Sequence, residues 1–237
     1  MRSVNGRWGE VFYIDKDEYV GRSLHHYGEY NPDETEMIIK LCDPLRGTDL
    51  ICLDIGANLG VMGQALEASG FPVVSFEPQP YVFSVLRKNV RGVCHNVGLG
   101  SEPGIAQMPR ILDGARANYG GQGIGMRSEL GTIDVRVETL DSYGFDNVGF
   151  MKIDVEGFEE KVLRGGVETI ARCWPIMYIE DDRVALSASL RAYIVSLGYS
   201  IEEHKPLLYR SENFFGLARN IWAPYNYASH NIICRPL

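Results

Sequence analysis

The chain has 237 residues, 45% hydrophobic and 23% charged, enough to bury a large single core and too ordinary for disordered, collagen-like or low-complexity classes. Twenty-three Lys and Arg against 31 Asp and Glu give a net charge of −8 and a pI near 5.2, which argues against nucleic acid and for a small neutral or cationic ligand. Five scattered cysteines without a CxxC pair, no leader-like apolar run in Met1 to Asp15 and no run of membrane-spanning length lead to the expectation of reduced core thiols, a cytoplasmic location and no membrane contact.

Residues 1–45 read as an aromatic N-terminal extension packed on a main domain of residues 46–237. Its first thirty residues suggest short strands or irregular structure, and Asp33 is placed to cap a helix beginning near Glu34 with Met37, Ile38 and Leu41 on one face. Strands and helices then alternate. Leu50–Ile55 is a strand; Leu59, Met62 and Leu66 recur at helical spacing up to Gly70. Val73–Phe76 is the next strand, and Pro80 opens a helix with Val82, Val85, Leu86 and Asn89 inward.

Val93–Val97 is a third strand. Residues 98–132 are rich in glycine and hold neither period, so they are expected to form an excursion or loop, with a strand following at Ile133–Val137. Phe150–Val155 and Ile176–Ile179 read as strands, with helices at Phe158–Leu163 and around Leu186–Leu197. Tyr199–Glu203 and Asn231–Arg235 suit an antiparallel edge. The pattern predicts an α/β fold: a doubly wound, Rossmann-like, mainly parallel sheet with an antiparallel C-terminal edge. Ligands of such sheets bind beyond the carboxyl ends of the strands.

At those ends, Gly56 and Gly60 allow a tight turn before a helix, but their spacing is not the GxGxxG of a pyrophosphate cradle. Glu77, 23 residues after Asp54, is placed to accept both hydroxyls of a ribose. The pair indicates an adenosine-type ligand without a diphosphate, which argues against a nicotinamide oxidoreductase.

The blocks DIGANLG, FEPQP, TLD, MKIDVEGFEEKVLRGG and a strand ending in IED resemble the FkbM-type S-adenosylmethionine-dependent methyltransferases. The resemblance runs from about Gly28 to Arg235 and implies O-methylation of a sugar, glycan or similar hydroxylated small molecule. It further implies that Asp54, Gly56, Ala57, Asn58 and Gly60 hold the methionine part of the cofactor, Glu77 with Pro78 the ribose, and Asn96, Val97 and Gly98 the adenine. Relatives often carry a histidine after the IED strand, where this chain has Asp181, Asp182 and Arg183.

Asp154 and Glu156 stand at alternate positions where a strand ends, so both can face the cleft and either can take the proton of an acceptor hydroxyl; Asp154 also borders the cofactor. The competing roles are a helix cap for Asp154 and a partner of the helix N-terminus for Glu156. Glu180 is the next candidate base. Glu180, Asp181 and Asp182 with Asp154 offer oxygen ligands to a divalent cation, but such a run more often serves as a solvated strand end, and no metal is expected. The glycine-rich Gly120–Gly125 stretch suits a flap over the site or a surface hairpin. Phe214, Phe215, Trp222, Tyr225 and Tyr227 suit either core packing or a sugar-stacking wall, and His25 or His26 could line an acceptor pocket. A non-catalytic module that keeps the cofactor fold is the remaining alternative.

Overall fold

The computed structural model of the chain describes residues 1–111, 116–223, 227 and 229–237. A hairpin of β1 (Arg2–Gly6) and β2 (Gly9–Tyr13) leads into α1 (Val20–Tyr27) and α2 (Pro32–Cys42). Next come β3 (Ile51–Ile55), α3 (Val61–Ala68), β4 (Val73–Phe76), α4 (Pro80–Asn89) and β5 (Val93–His95). A second sheet contains β6 (Gly98–Leu99), β7 (Gly104–Pro109) and β8 (Thr132–Glu138). The chain returns through β9 (Val148–Ile153), α5 (Glu159–Arg164), α6 (Val167–Cys173), β10 (Ile176–Glu180), α7 (Val184–Ser196), β11 (Tyr199–His204) and β12 (Asn231–Pro236).

The main sheet runs β11-β12-β10-β9-β3-β4-β5. Its five strands from β10 to β5 are parallel, and β12 lies antiparallel between β10 and β11. Chain direction across the sheet reverses at β3, with β4 on one side and β9 on the other, so the crevice for a ligand opens at their carboxyl ends. Strand β9 is buried along its whole length, as a central parallel strand covered on both faces must be.

Register sorts the side chains. Ile55, Ile153 and Ile179 share one face and pack with Val162, Leu163, Leu190 and Ile194 in the largest core cluster. Asp54, Lys152 and Tyr178 share the other face. There α2 covers the sheet through Ile38 and Leu41, against Cys52, Phe150 and Tyr178. Cys42 and Cys52 are free, their sulfurs 3.7 Å apart.

Several local expectations need correction. Asp33 does not cap α2: Asn31 precedes the helix and makes no capping bond, while Asp33 accepts the Leu207 N–H and pairs with Arg210. The glycine-rich excursion contains two strands, β6 and β7, because β8 supplies pairing partners that local periodicity cannot show. Helices α1 and α6 occur where no helix is expected from the sequence. Gly165–Gly166 ends α5, and α6 then begins at once. Part of the excursion, residues 112–115, and Tyr225 lie outside the described residues.

Candidate active site

A cavity of about 420 Å³ opens at the carboxyl ends of β3, β4, β9 and β10. Its floor is the turn after β3. There the Gly56 and Ala57 N–H groups donate to the Phe76 carbonyl at 3.0 and 2.9 Å, tying the turn to β4. Gly56 has φ +82°, and a Cβ there would come within 1.8 Å of the Asp154 carbonyl oxygen, so no larger residue fits between β3 and β9.

Glu77 closes β4 and is 7% exposed. Its carboxylate accepts the Asn58 N–H at 3.0 Å and the Gln79 N–H at 2.8 Å. Burial pushes its pKa up to about 7, against the pull of those two amides. Each oxygen keeps accepting capacity beyond its amide bond, as a ribose-binding carboxylate requires. Beside it the lining turns apolar, with Phe76, Val97, Leu99, Met108 and Ile124.

The residues expected at the cofactor divide into two groups. Gly56, Ala57, Asn58, Glu77, Pro78, Val97, Gly98 and Asp154 line the cavity. Asp54, Gly60 and Asn96 are not among its lining residues and support it from behind. Asp54 is fully buried, and burial raises its carboxyl above the ordinary range while Lys152 opposes the rise. A Cβ on Gly60 would strike Leu86 of α4, so this glycine serves helix packing. Asn96 donates to the carbonyls of Glu77 and Pro78 at 2.8 and 3.0 Å, fixing the end of β4.

The three candidate bases meet. Asp154, Glu156 and Glu180 all line the cavity, with carboxylate oxygens within 4.8 Å of one another. Asp154 is not a helix cap: Phe158 takes the position before α5, and Asp154 accepts from the Lys152 ammonium at 2.8 Å. Glu156, in the left-handed region at φ +57°, forms an ion pair with Arg183. Burial, then the neighbouring Asp154, pushes its pKa up to about 7. For Glu180, burial followed by Asp154 and Glu156 raises the carboxyl well above its ordinary range. Crowded carboxylates resist ionising together, so this group readily accepts a proton. The same three oxygens are close enough to hold a divalent cation. Asp181 takes no part: its side chain is turned away, accepting from Ser187 and from Arg191 at 2.9 and 2.6 Å.

Some site residues carried no expectation from the sequence. Lys152 is 7% exposed near the end of β9; burial alone would lower its pKa, but Asp154, Glu34 and Asp54 outweigh that and raise it. A lysine inside an otherwise apolar strand, Phe150-Met151-Lys152-Ile153, was the available signal. Glu159 accepts the Val155 and Gly157 N–H groups and so shapes the loop that carries Glu156. From the N-terminal segment, Tyr30, Asn31 and Glu34 reach the cavity wall; Gly120 to Ile124, from the glycine-rich stretch expected as a flap or a surface hairpin, line another wall with Asn118 and Tyr119. His25, His26, Phe214, Phe215, Trp222 and Tyr227 are not among the lining residues. His25 instead bonds Tyr13, and Trp222 packs in a separate cluster with Tyr27 and Leu208.

Six strands running one way, with the antiparallel β12 inserted between the last two, β10 and β11, are the sheet of the Rossmann-like methyltransferases. The sequence profile of the FkbM methyltransferase domain matches residues 54–201, more than half of the chain. The chain therefore belongs to the FkbM methyltransferase family. Over 158 residues it is 28% identical to the 31-O-demethyl-FK506 methyltransferase FkbM of Streptomyces tacrolimicus, a match spanning 51% of this chain and 60% of that protein. The crystal structure of methyltransferase FkbM from Methylobacillus flagellatus superposes with a TM-score of 0.52 at 17% identity, covering 92% of this chain and 55% of the other. Magnesium protoporphyrin IX methyltransferase from Synechocystis with bound SAH gives 0.51 at 10% identity, covering 94% and 91%. At these identities the two structures speak for the fold alone. The chain spans little more than half the length of both FkbM relatives.

The residues fit S-adenosylmethionine as the methyl donor on structural grounds. The Asn58 side-chain oxygen is buried without a hydrogen-bond partner among the described residues, next to a carboxylate, Glu77, held by two amides.

Proposed function

We propose that the protein is an O-methyltransferase acting on a hydroxyl of a sugar, glycan or similar small molecule. The observation that carries this reading is the meeting of Asp154, Glu156 and Glu180 within 4.8 Å, one strand along from the glycine turn. A hydroxyl becomes a competent nucleophile as its proton leaves, and a carboxylate with a raised pKa takes that proton near neutral pH.

The donor supplies an activated methyl group when bound, so the chain's task is alignment and proton transfer. Glu77 fixes the ribose, the turn from Gly56 to Asn58 holds the methionine part, and the apolar wall at Val97 and Gly98 receives the base. The carboxylate cluster orients the acceptor oxygen and keeps its proton. Arg183, paired with Glu156, stands close to where relatives often have a histidine and holds that carboxylate in place. The name of the Streptomyces relative, a 31-O-demethyl-FK506 methyltransferase, agrees with transfer to oxygen.

The test is a screen of hydroxylated acceptors with isotopically labelled methyl donor, with mass analysis of any product. Label found on an acceptor oxygen supports the reading. Label found only on nitrogen or carbon overturns it.

A further inference from the structure

Four non-glycine residues among those described have left-handed backbone: Asn31, Asn58, Glu156 and Trp174. Three of them line the cavity. Asn58 and Glu156 belong to the loops after β3 and β9. Asn31 comes from outside the span matched by the family profile, at the start of α2. A non-glycine residue held in this region is strained, and such strain gathers where a side chain must be aimed at a ligand.

Asn31 is 3% exposed, and its side-chain nitrogen donates to the Glu34 carboxylate. Its side-chain oxygen is buried and has no partner among the described residues, in a residue that lines the cavity. Glu34 is 6% exposed and lines the same cavity. Leaving a buried acceptor unpaired costs free energy, and a ligand donor would remove that cost. The wall therefore calls for an N–H or O–H donor, and the carboxylate favours a positively charged one.

The order of the strands says which part of a ligand arrives there. Val97 follows β5, Glu77 follows β4, Asn58 follows β3, and Lys152 and Asp154 belong to the end of β9. A nucleoside held at Glu77 with its base on the Val97 side sends its other arm across Asn58 toward β9. Glu34 lies in that direction, since α2 packs over β3 and β9 through Ile38 and Leu41, and Glu34 lines the cavity together with Lys152. That arm of the donor ends in an α-amino acid, whose ammonium carries three N–H donors.

We propose that Asn31 and Glu34 form the subsite for the α-ammonium of the cofactor's amino-acid end, so that the N-terminal segment completes the cofactor site. The inference rests on the methyl-donor reading of the cavity. It makes the Asn31 side-chain oxygen and the Glu34 carboxylate the acceptors, and it makes α2 a part of cofactor recognition as well as a cover for the sheet.

Calorimetry on the full chain with two probes tests it. S-adenosylhomocysteine carries the amino-acid end; 5′-methylthioadenosine has the nucleoside and sulfur but lacks it. Asn31→Gly keeps the left-handed backbone and removes the amide. Glu34→Gln keeps size and a hydrogen bond to Asn31 while removing the charge, and it carries the test if the first variant fails to fold. Each variant should weaken S-adenosylhomocysteine binding by about 10- to 100-fold, the loss of a charged hydrogen bond, and leave 5′-methylthioadenosine binding within about twofold of wild type. An equal loss for both probes, or no loss for either, overturns the proposal. Failure of the wild type to bind either probe would instead defeat the underlying cofactor reading, and the proposal with it.

Discussion

Replacing Glu77 should weaken cofactor binding and leave the protein folded. The side chain is 7% exposed and accepts two backbone N–H bonds, at 3.0 Å from Asn58 and 2.8 Å from Gln79. Glu77→Ala removes both acceptors and the charge that a ribose would meet. Loss of charge-assisted bonds to the ribose should cost ~1–3 kcal/mol of binding, roughly 5- to 150-fold in Kd. The Asn58 and Gln79 amides are left without their carboxylate, but both residues border the cavity, where water can replace it. The folding penalty should therefore stay near ~1–2 kcal/mol, a fall in Tm of about 2–8 °C for a chain of this size. Glu77→Gln, which keeps the volume and one acceptor, should fall between the alanine variant and wild type. Calorimetry with S-adenosylhomocysteine, alongside thermal unfolding, reads both quantities. Wild-type affinity in a folded Glu77→Ala protein would remove Glu77 from the site and refute the reasoning.

Further outcomes follow from the buried charges. Lys152 is the ammonium among Asp154, Glu34 and Asp54, so Lys152→Met should destabilise the protein by ~3 kcal/mol; denaturant titration at pH 7 measures this, and the deficit should shrink at pH 5 as Glu34, raised by burial to about 7, gains a proton. Burial raises Glu34, Glu77 and Glu156 to about 7 from an ordinary 4.5. The folded protein thus binds more protons than the unfolded chain between those values, and the ligand-free protein should lose stability as pH rises from about 4.5 to 7. Glu36 and Glu160, held low by hydrogen bonds, one to Arg210 and the other to Ser189 and Arg164, act with the opposite sign below that window. A flat or rising stability curve between pH 4.5 and 7 would contradict the burial of these carboxyls. Chelation with EDTA should leave turnover unchanged; loss restored by a divalent ion would reassign Asp154, Glu156 and Glu180 as ligands.

Much of the sheet could be read from local pattern because local pattern encodes it. The inward face of α4, Val82, Val85, Leu86 and Asn89, is buried as its helical spacing requires. The continuous apolar run of β9 marks a strand buried on both faces. Where elements depend on distant partners the pattern fails: β6 and β7 exist through β8, and β12 inserts beside β10 instead of forming the edge itself.

The site follows the same division. Glu77 and the Gly56–Asn58 turn sit within short motifs whose chemistry is local, and they line the cavity. Asp54 sits in the same motif, but alternation turns it to the α2 face beside Lys152, behind the floor. The contributions of Asn31 and Glu34 depend on α2 folding over that face. Lys152 and Glu159 act by holding other groups, a role visible only once those groups are in place.

On the proposed mechanism, the carboxylates at the ends of β9 and β10 take the acceptor's proton while other residues hold the cofactor. Turnover on an acceptor identified in the labelled screen, measured beside S-adenosylhomocysteine affinity for Asp154→Asn, Glu156→Gln, Glu180→Gln and the triple variant, tests it most directly. The variant lacking the base should lose ~10²–10⁴ in kcat, and the triple variant should lose at least as much, each with cofactor affinity changed far less. Wild-type kcat in the triple variant, with the chemical step rate-limiting, would contradict the account.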